Sequence, residues 1–211
     1  YKIPGDISSA SFLIVLTLLL KDSYLTIKKV NINPTRIGII KILNMMGAKI
    51  KFKNKQIYKG EPIADIFVKY CKTLKSINLN SKLNSSAIDE FLLIFLIASV
   101  SKGTSTFSDL SELNKKESRR LDWGYKILKM IGVNVKKIKN DGIKIKGNPN
   151  LSLSKNYSIK GFLKDHRVFM FSTVAALILG GNWKIYDPVS IKTSFPNFLD
   201  IIKNLGGKIL W

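Results

Sequence analysis

"IDEFLLIFLIASV", residues 88–100, places two acids ahead of a run without a single charge. Wound as a helix, that run is apolar on every face, so it must be enclosed by protein on all sides. It is too short to cross a bilayer, which takes about 20 apolar residues. The aspartate at its head reads as an N-cap, with a free carboxylate oxygen for the first unpaired N–H groups.

The same layout occurs twice more, in "GDISSASFLIVLTLLL" (5–20) and "KDHRVFMFSTVAALILG" (164–180). In each case an aspartate (Asp6, Asp89, Asp165) leads an apolar helix, and a break and a strand follow. An amphipathic helix comes next, stopped by a glycine (Gly47, Gly132, Gly206) at nearly constant spacing from the aspartate, and then another strand. Such regularity is an internal repeat. Lysines on alternate positions of "AKIKFK" (48–53) and "GIKIKG" (142–147) put one sheet face in water. Buried helices with solvent-facing sheets invert the usual layering of α/β proteins. The expectation is an inside-out α/β fold: three βαβαββ units around a shared helical core, in one domain over 1–211. The three helix N-termini would open on a common face, suited to phosphate and carboxylate ligands.

Composition narrows the partners. With 35 lysines and arginines against 14 acids, the net charge is +21. The lysines are scattered through the whole chain, and aromatic residues do not interleave with them as in a base-stacking platform. Neither a nucleic acid nor a membrane is therefore the expected partner. The single cysteine, Cys71, excludes an internal disulfide and fits a reducing cytoplasm. The chain opens at Tyr1 directly into structured-looking sequence, as a fragment of a longer polypeptide would.

In so lysine-biased a chain the four arginines, Arg36, Arg119, Arg120 and Arg167, are informative. Their planar fork grips a carboxylate or phosphate through two parallel hydrogen bonds, which lysine cannot do. Three of them fall in "KKESRR" (115–120) and "DHR" (165–167), beside Lys116, Glu117, Asp165 and His166, the only histidine. Each motif alone reads as capping and solvation. With "IDE" they place acids, arginines, a lysine and a histidine at equivalent helix starts of a repeated unit.

The motifs "PGDISSASF", "NPTRIG", "GEPIADI", "IDE", "KESRR", "DHRVFM" and "TSFPNF" occur in this order. In that order and spacing the chain resembles the C-terminal half of the 5-enolpyruvylshikimate-3-phosphate synthase family, nearer its glyphosate-tolerant class. The resemblance implies the enolpyruvyl transferase fold, with a second domain missing here. It implies a cytoplasmic enzyme, monomeric at full length and without cofactor or metal. Its partners would be two small molecules, shikimate 3-phosphate and phosphoenolpyruvate. The enolpyruvyl group would pass to the 5-hydroxyl of shikimate 3-phosphate, with release of phosphate. Asp89 then corresponds to the proton-accepting aspartate that also holds the shikimate hydroxyls, and Lys116 to the lysine contacting shikimate 3-phosphate. Glu117 corresponds to the proton donor, and Arg120 and Arg167 to the arginines that bind phosphoenolpyruvate. Asp165 and His166 would orient the helix start so that Arg167 faces the ligand.

Two positions depart from the family pattern. Arg119 stands where the motif has an aspartate, and it is expected to face solvent. Thr193 stands where some members have a phosphoenolpyruvate-binding lysine, leaving Lys192, one residue earlier, as a possible ligand. Arg36 receives no role. The alternatives are a UDP-N-acetylglucosamine enolpyruvyl transferase, or a basic non-catalytic domain binding anions or nucleic acid. The former would use a reactive cysteine on a mobile loop of its first half, whereas Cys71 reads as half-buried and structural.

Overall fold

The run 91–100 is a helix, buried from Phe91 through Ser99. It lies at the centre of a computed structural model that describes residues 3–139 and 141–210. The first repeat comprises α1 (Ile7–Leu19), β1 (Tyr24–Asn31), α2 (Gly38–Met45), β2 (Lys51–Tyr58) and β3 (Glu61–Lys69). The second comprises α3 (Phe91–Val100), β4 (Gly103–Phe107), α4 (Arg120–Met130), β5 (Asn134–Ile138) and β6 (Gly142–Gly147). The third comprises β7 (Leu153–Ile159), α5 (His166–Leu179), β8 (Gly180–Ile185) and α6 (Phe198–Asn204).

The repeat is visible in the ladders. The first two sheets have equivalent strand orders, β1-β3-β2 and β4-β6-β5, all antiparallel. Ahead of α1 and α3 the chain makes short parallel bridges, Gly5 to Val30 and Asn78 to Thr106. In the third repeat that parallel pairing is a full ladder, β7 with β8. The closing hairpin expected there is not formed among the described residues: 207–210 have no ladder.

The three glycine stops behave alike. Gly47, Gly132 and Gly206 adopt φ of 99°, 81° and 94°, the left-handed region that ends a helix cheaply only in glycine. The amides that follow close the last turn, Ala48 onto Leu43, Val133 onto Leu128 and Gly207 onto Ile202.

α1, α3 and α5 pack on one another and carry the largest share of the core. Their small polar residues are satisfied within the helix: Ser11 donates to the Ile7 carbonyl, Thr17 to Leu13 and Ser172 to Val168. Phe91 and Phe95 meet Phe107 of β4, with ring centroids 6.2 and 5.5 Å away. Lysines on the strands stay outside, among them Lys51, Lys53, Lys144 and Lys146. Among the described residues no helix is long and apolar enough to cross a membrane.

Candidate active site

The starts of the three core helices differ. Asp6 caps α1, accepting from the Ser9 amide at 2.8 Å, and Asp165 caps α5, accepting from the Arg167 amide at 2.9 Å. Asp89 was expected to do the same, and it does not. A 3-10 turn over Ser85–Glu90 precedes α3, whose N-cap position is Glu90, with no side-chain cap bond. The tighter turn carries Asp89 off the helix axis and leaves its carboxylate to other partners.

Those partners are four cations from all three repeats. Asp89 Oδ1 lies 3.1 Å from Arg120 Nη1 and 3.3 Å from Lys116 Nζ. Its Oδ2 lies 3.6 Å from Arg167 Nη2 and 3.9 Å from Arg36 Nη2. Burial by itself would push the Asp89 carboxyl up, but the charges of Arg167, Lys116 and Arg120 outweigh it and hold the group below its ordinary value.

"KKESRR" does not begin α4, as the sequence suggests, but loops ahead of it. Asn114 Oδ1 accepts from the amides of Leu121 and Asp122 at 3.1 and 3.3 Å, so the cap comes from before the loop. Residues 115–119 are thereby pushed out over the site. Arg120, the first residue of α4, is 2% exposed and gives each guanidinium nitrogen to a different carboxylate. Nε meets Asp165 at 2.9 Å, Nη1 meets Asp89, and Nη2 meets Glu117. Asp165, fully buried, also accepts from Ser118 Oγ at 2.8 Å.

Arg167 lies on the other side of Asp89, its Nη1 3.1 Å from the Asp89 carbonyl and 3.6 Å from Glu90 Oε1. Glu90 is 3% exposed and accepts from Ser8 Oγ at 2.5 Å. Burial pushes its carboxyl up, against the Ser8 hydrogen bond and the charge of Arg167. His166 Nδ1 stands 3.9 Å from Glu117 Oε1, and burial followed by the charge of Arg167 lowers its proton affinity. A neutral imidazole at pH 7 is the consequence.

The structure thus brings together Asp89, Lys116, Glu117, Arg120, His166 and Arg167. Lys192 is exposed just after a 3-10 turn and has no side-chain bond to this cluster. Arg119 faces solvent as expected, mostly exposed, and also pairs with Asp122 at 2.6 Å. Motif reading passes over Glu90 and Ser8, which stand inside "IDE" and "DIS", and names Arg36 only as one of four arginines, without a role. Glu117, Asp165 and His166 could converge on a metal ion, yet both carboxylates are already paired with Arg120. A cluster of forked cations around one ionised acid suits the binding of an anion and the removal of a proton beside it.

Comparisons with known proteins place the chain in a family. The sequence profile of EPSP synthase (3-phosphoshikimate 1-carboxyvinyltransferase) matches residues 1–202. The 3-phosphoshikimate 1-carboxyvinyltransferase of Zymomonas mobilis is 40% identical over 98% of this chain and 46% of its own length. That of Endomicrobium trichonymphae is 37% identical over 96% of this chain, again 46% of its own length. The chain therefore spans about half the length of the curated relatives it matches. Among solved structures, EPSP synthase from Acinetobacter baumannii superposes with a TM-score of 0.88 at 34% identity, covering 96% of this chain and 46% of that one. The enolpyruvyl transferase NikO from Streptomyces tendae, at 13% identity and a TM-score of 0.74 over 99% of this chain and 44% of its own, shares the fold. The inverted layering, the threefold repeat and the matched profile lead to one assignment: the chain belongs to the EPSP synthase (3-phosphoshikimate 1-carboxyvinyltransferase) family.

Proposed function

We propose that this chain is one domain, the C-terminal half of a two-domain cytoplasmic enzyme, and forms one wall of its active site. The enzyme moves the enolpyruvyl group of phosphoenolpyruvate onto the 5-hydroxyl of shikimate 3-phosphate. The observation that carries this reading is Asp89, kept ionised between cations from three repeats. In the addition step the 5-hydroxyl oxygen bonds to the central carbon of phosphoenolpyruvate. Asp89 takes the hydroxyl proton, and Glu117, in its protonated form, supplies a proton to the methylene carbon. In the elimination step the Glu117 carboxylate takes back a methyl proton, the carbon–oxygen bond to phosphate breaks, and the double bond returns. Arg120 and Arg167 hold the carboxylate and phosphate of phosphoenolpyruvate, and Lys116 the phosphorylated acceptor. His166 lies against Glu117 and is neutral, so it does not compete for these anions.

The test is single turnover in a complete two-domain enzyme carrying this chain, with both substrates saturating. Asp89→Ala and Glu117→Gln should each slow the chemical step by about 10²–10⁴, the usual loss for a positioned acid or base. Near-normal rates would return both carboxylates to a structural role. Turnover with UDP-N-acetylglucosamine in place of shikimate 3-phosphate would refute the choice of acceptor.

A further inference from the structure

Arg36 is the arginine that motif reading leaves without work. It ends a tight turn in which the Asn33 amide donates to Asn31 Oδ1 at 2.8 Å and Thr35 N and Oγ1 donate to Asn33 Oδ1 at 3.0 and 2.8 Å. Just beyond it, Gly38 presses on the turn that carries Asp89. A Cβ added there would stand 2.6 Å from the Ser86 carbonyl carbon and oxygen. This close approach brings Arg36 Nη2 to 3.2 Å from Ser8 Oγ and 3.9 Å from Asp89 Oδ2.

A guanidinium carries five N–H donors on three nitrogens. Arg120 has committed all three nitrogens to carboxylates. Arg36 uses only Nη2, its Nε and Nη1 have no partner among the described residues, and half of its side chain is exposed. It is the cation of the cluster with most donors to spare, and it reaches the same carboxylate oxygen as Arg167.

Its aim is fixed from behind. Arg36 donates to the Ser8 hydroxyl, which donates to Glu90 Oε1, and the other neighbour of that oxygen is Arg167 Nη1. The buried Glu90 thus steadies two guanidiniums, one directly and one through a hydroxyl. A carboxylate kept in a dry place beside another is costly unless it has such a task.

We propose that Arg36 is a further anion-binding residue of this site, positioned by the Ser8–Glu90 brace to receive a phosphate or carboxylate oxygen held beside Asp89. This rests on the reading of the site given above. The oxyanion belongs either to phosphoenolpyruvate or to shikimate 3-phosphate, and titrating each separately distinguishes them.

With only four arginines in the chain, the Nε–H signals of arginine-labelled protein can be assigned by single substitutions. Titration with either substrate should move the Arg36 signal together with that of Arg167, while Arg119, outside the cluster, stays in place. Arg36→Gln should weaken binding of that substrate by about threefold to tenfold, with Arg36→Lys in between, as expected of a half-exposed charged contact. Ser8→Ala, which keeps the arginine and removes the brace, should give a smaller loss. If Arg120 and Arg167 respond while Arg36 does not, or if Arg36→Gln binds as tightly as the parent, the inference fails and the proposed site stands. If no arginine responds to either substrate even at tens of millimolar, the anion site itself is refuted.

Discussion

Arg120 gives its three guanidinium nitrogens to Asp89, Glu117 and Asp165, and Asp165 is itself shut off from water. Removing the cation would strand a buried carboxylate. Arg120→Met is therefore expected to cost about 3–5 kcal/mol in urea denaturation. Arg119→Met loses only an exposed pair with Asp122 and should change stability by less than about 1 kcal/mol. The adjacent acids Asp89 and Glu90 should respond to pH in opposite senses. Burial raises Glu90 above its ordinary value of 4.5, so its contribution to folding is fully present below that pH and is lost as pH climbs through the raised value. Glu90→Gln should accordingly melt higher than the parent at neutral pH, with the difference closing as pH falls toward 4.5. Asp89 is held below 3.8, so its contribution is present above that pH and lost as acid titrates the folded state. Asp89→Asn should melt lower at neutral pH. If the two melting shifts at pH 7 share a sign, this account of the pair is wrong.

At the scale of elements, the seam between α2 and the turn over Ser85–Glu90 depends on Gly38. Gly38→Ala should force the two apart and cost about 1–3 kcal/mol, as overpacking does, measured by chemical denaturation. The core helices were readable because a segment apolar on every face has nowhere to go but inside, and the glycine stops because only glycine accepts that backbone without strain. Asp89 misled for a physical reason. An aspartate before an apolar run looks the same whether it caps the helix or points elsewhere, and a 3-10 turn decided the matter here. The loop over 115–119 was misplaced because its helix is capped by Asn114 from beyond the loop. Lys116, Glu117, Arg120 and Arg167 could be named from motifs. Arg36 could not, since its partners Ser8 and Asp89 lie far off in sequence and only packing brings them near.

Across the whole molecule, the core binds all three repeats into one contiguous cluster, so the chain on its own should unfold in a single cooperative step by calorimetry. It should also release no phosphate from its two proposed substrates, because one wall leaves them open to water and screening. Its excess charge of +21 lies elsewhere than in the site. Arg36, Lys116, Arg120 and Arg167 face Asp89, Glu90, Glu117 and Asp165, cation for acid.

That parity makes ligand entry a proton-linked event. A dianion added to a balanced cluster makes every nearby carboxylate a better base, Glu90 first, since burial already raises its proton affinity. Occupancy should draw protons from solution, and affinity should rise as pH falls. Sulfate, which does not titrate near neutrality, isolates the effect. Its heat of binding should differ between two buffers of unlike ionisation enthalpy, and equal heats would mean that the anion enters without drawing a proton.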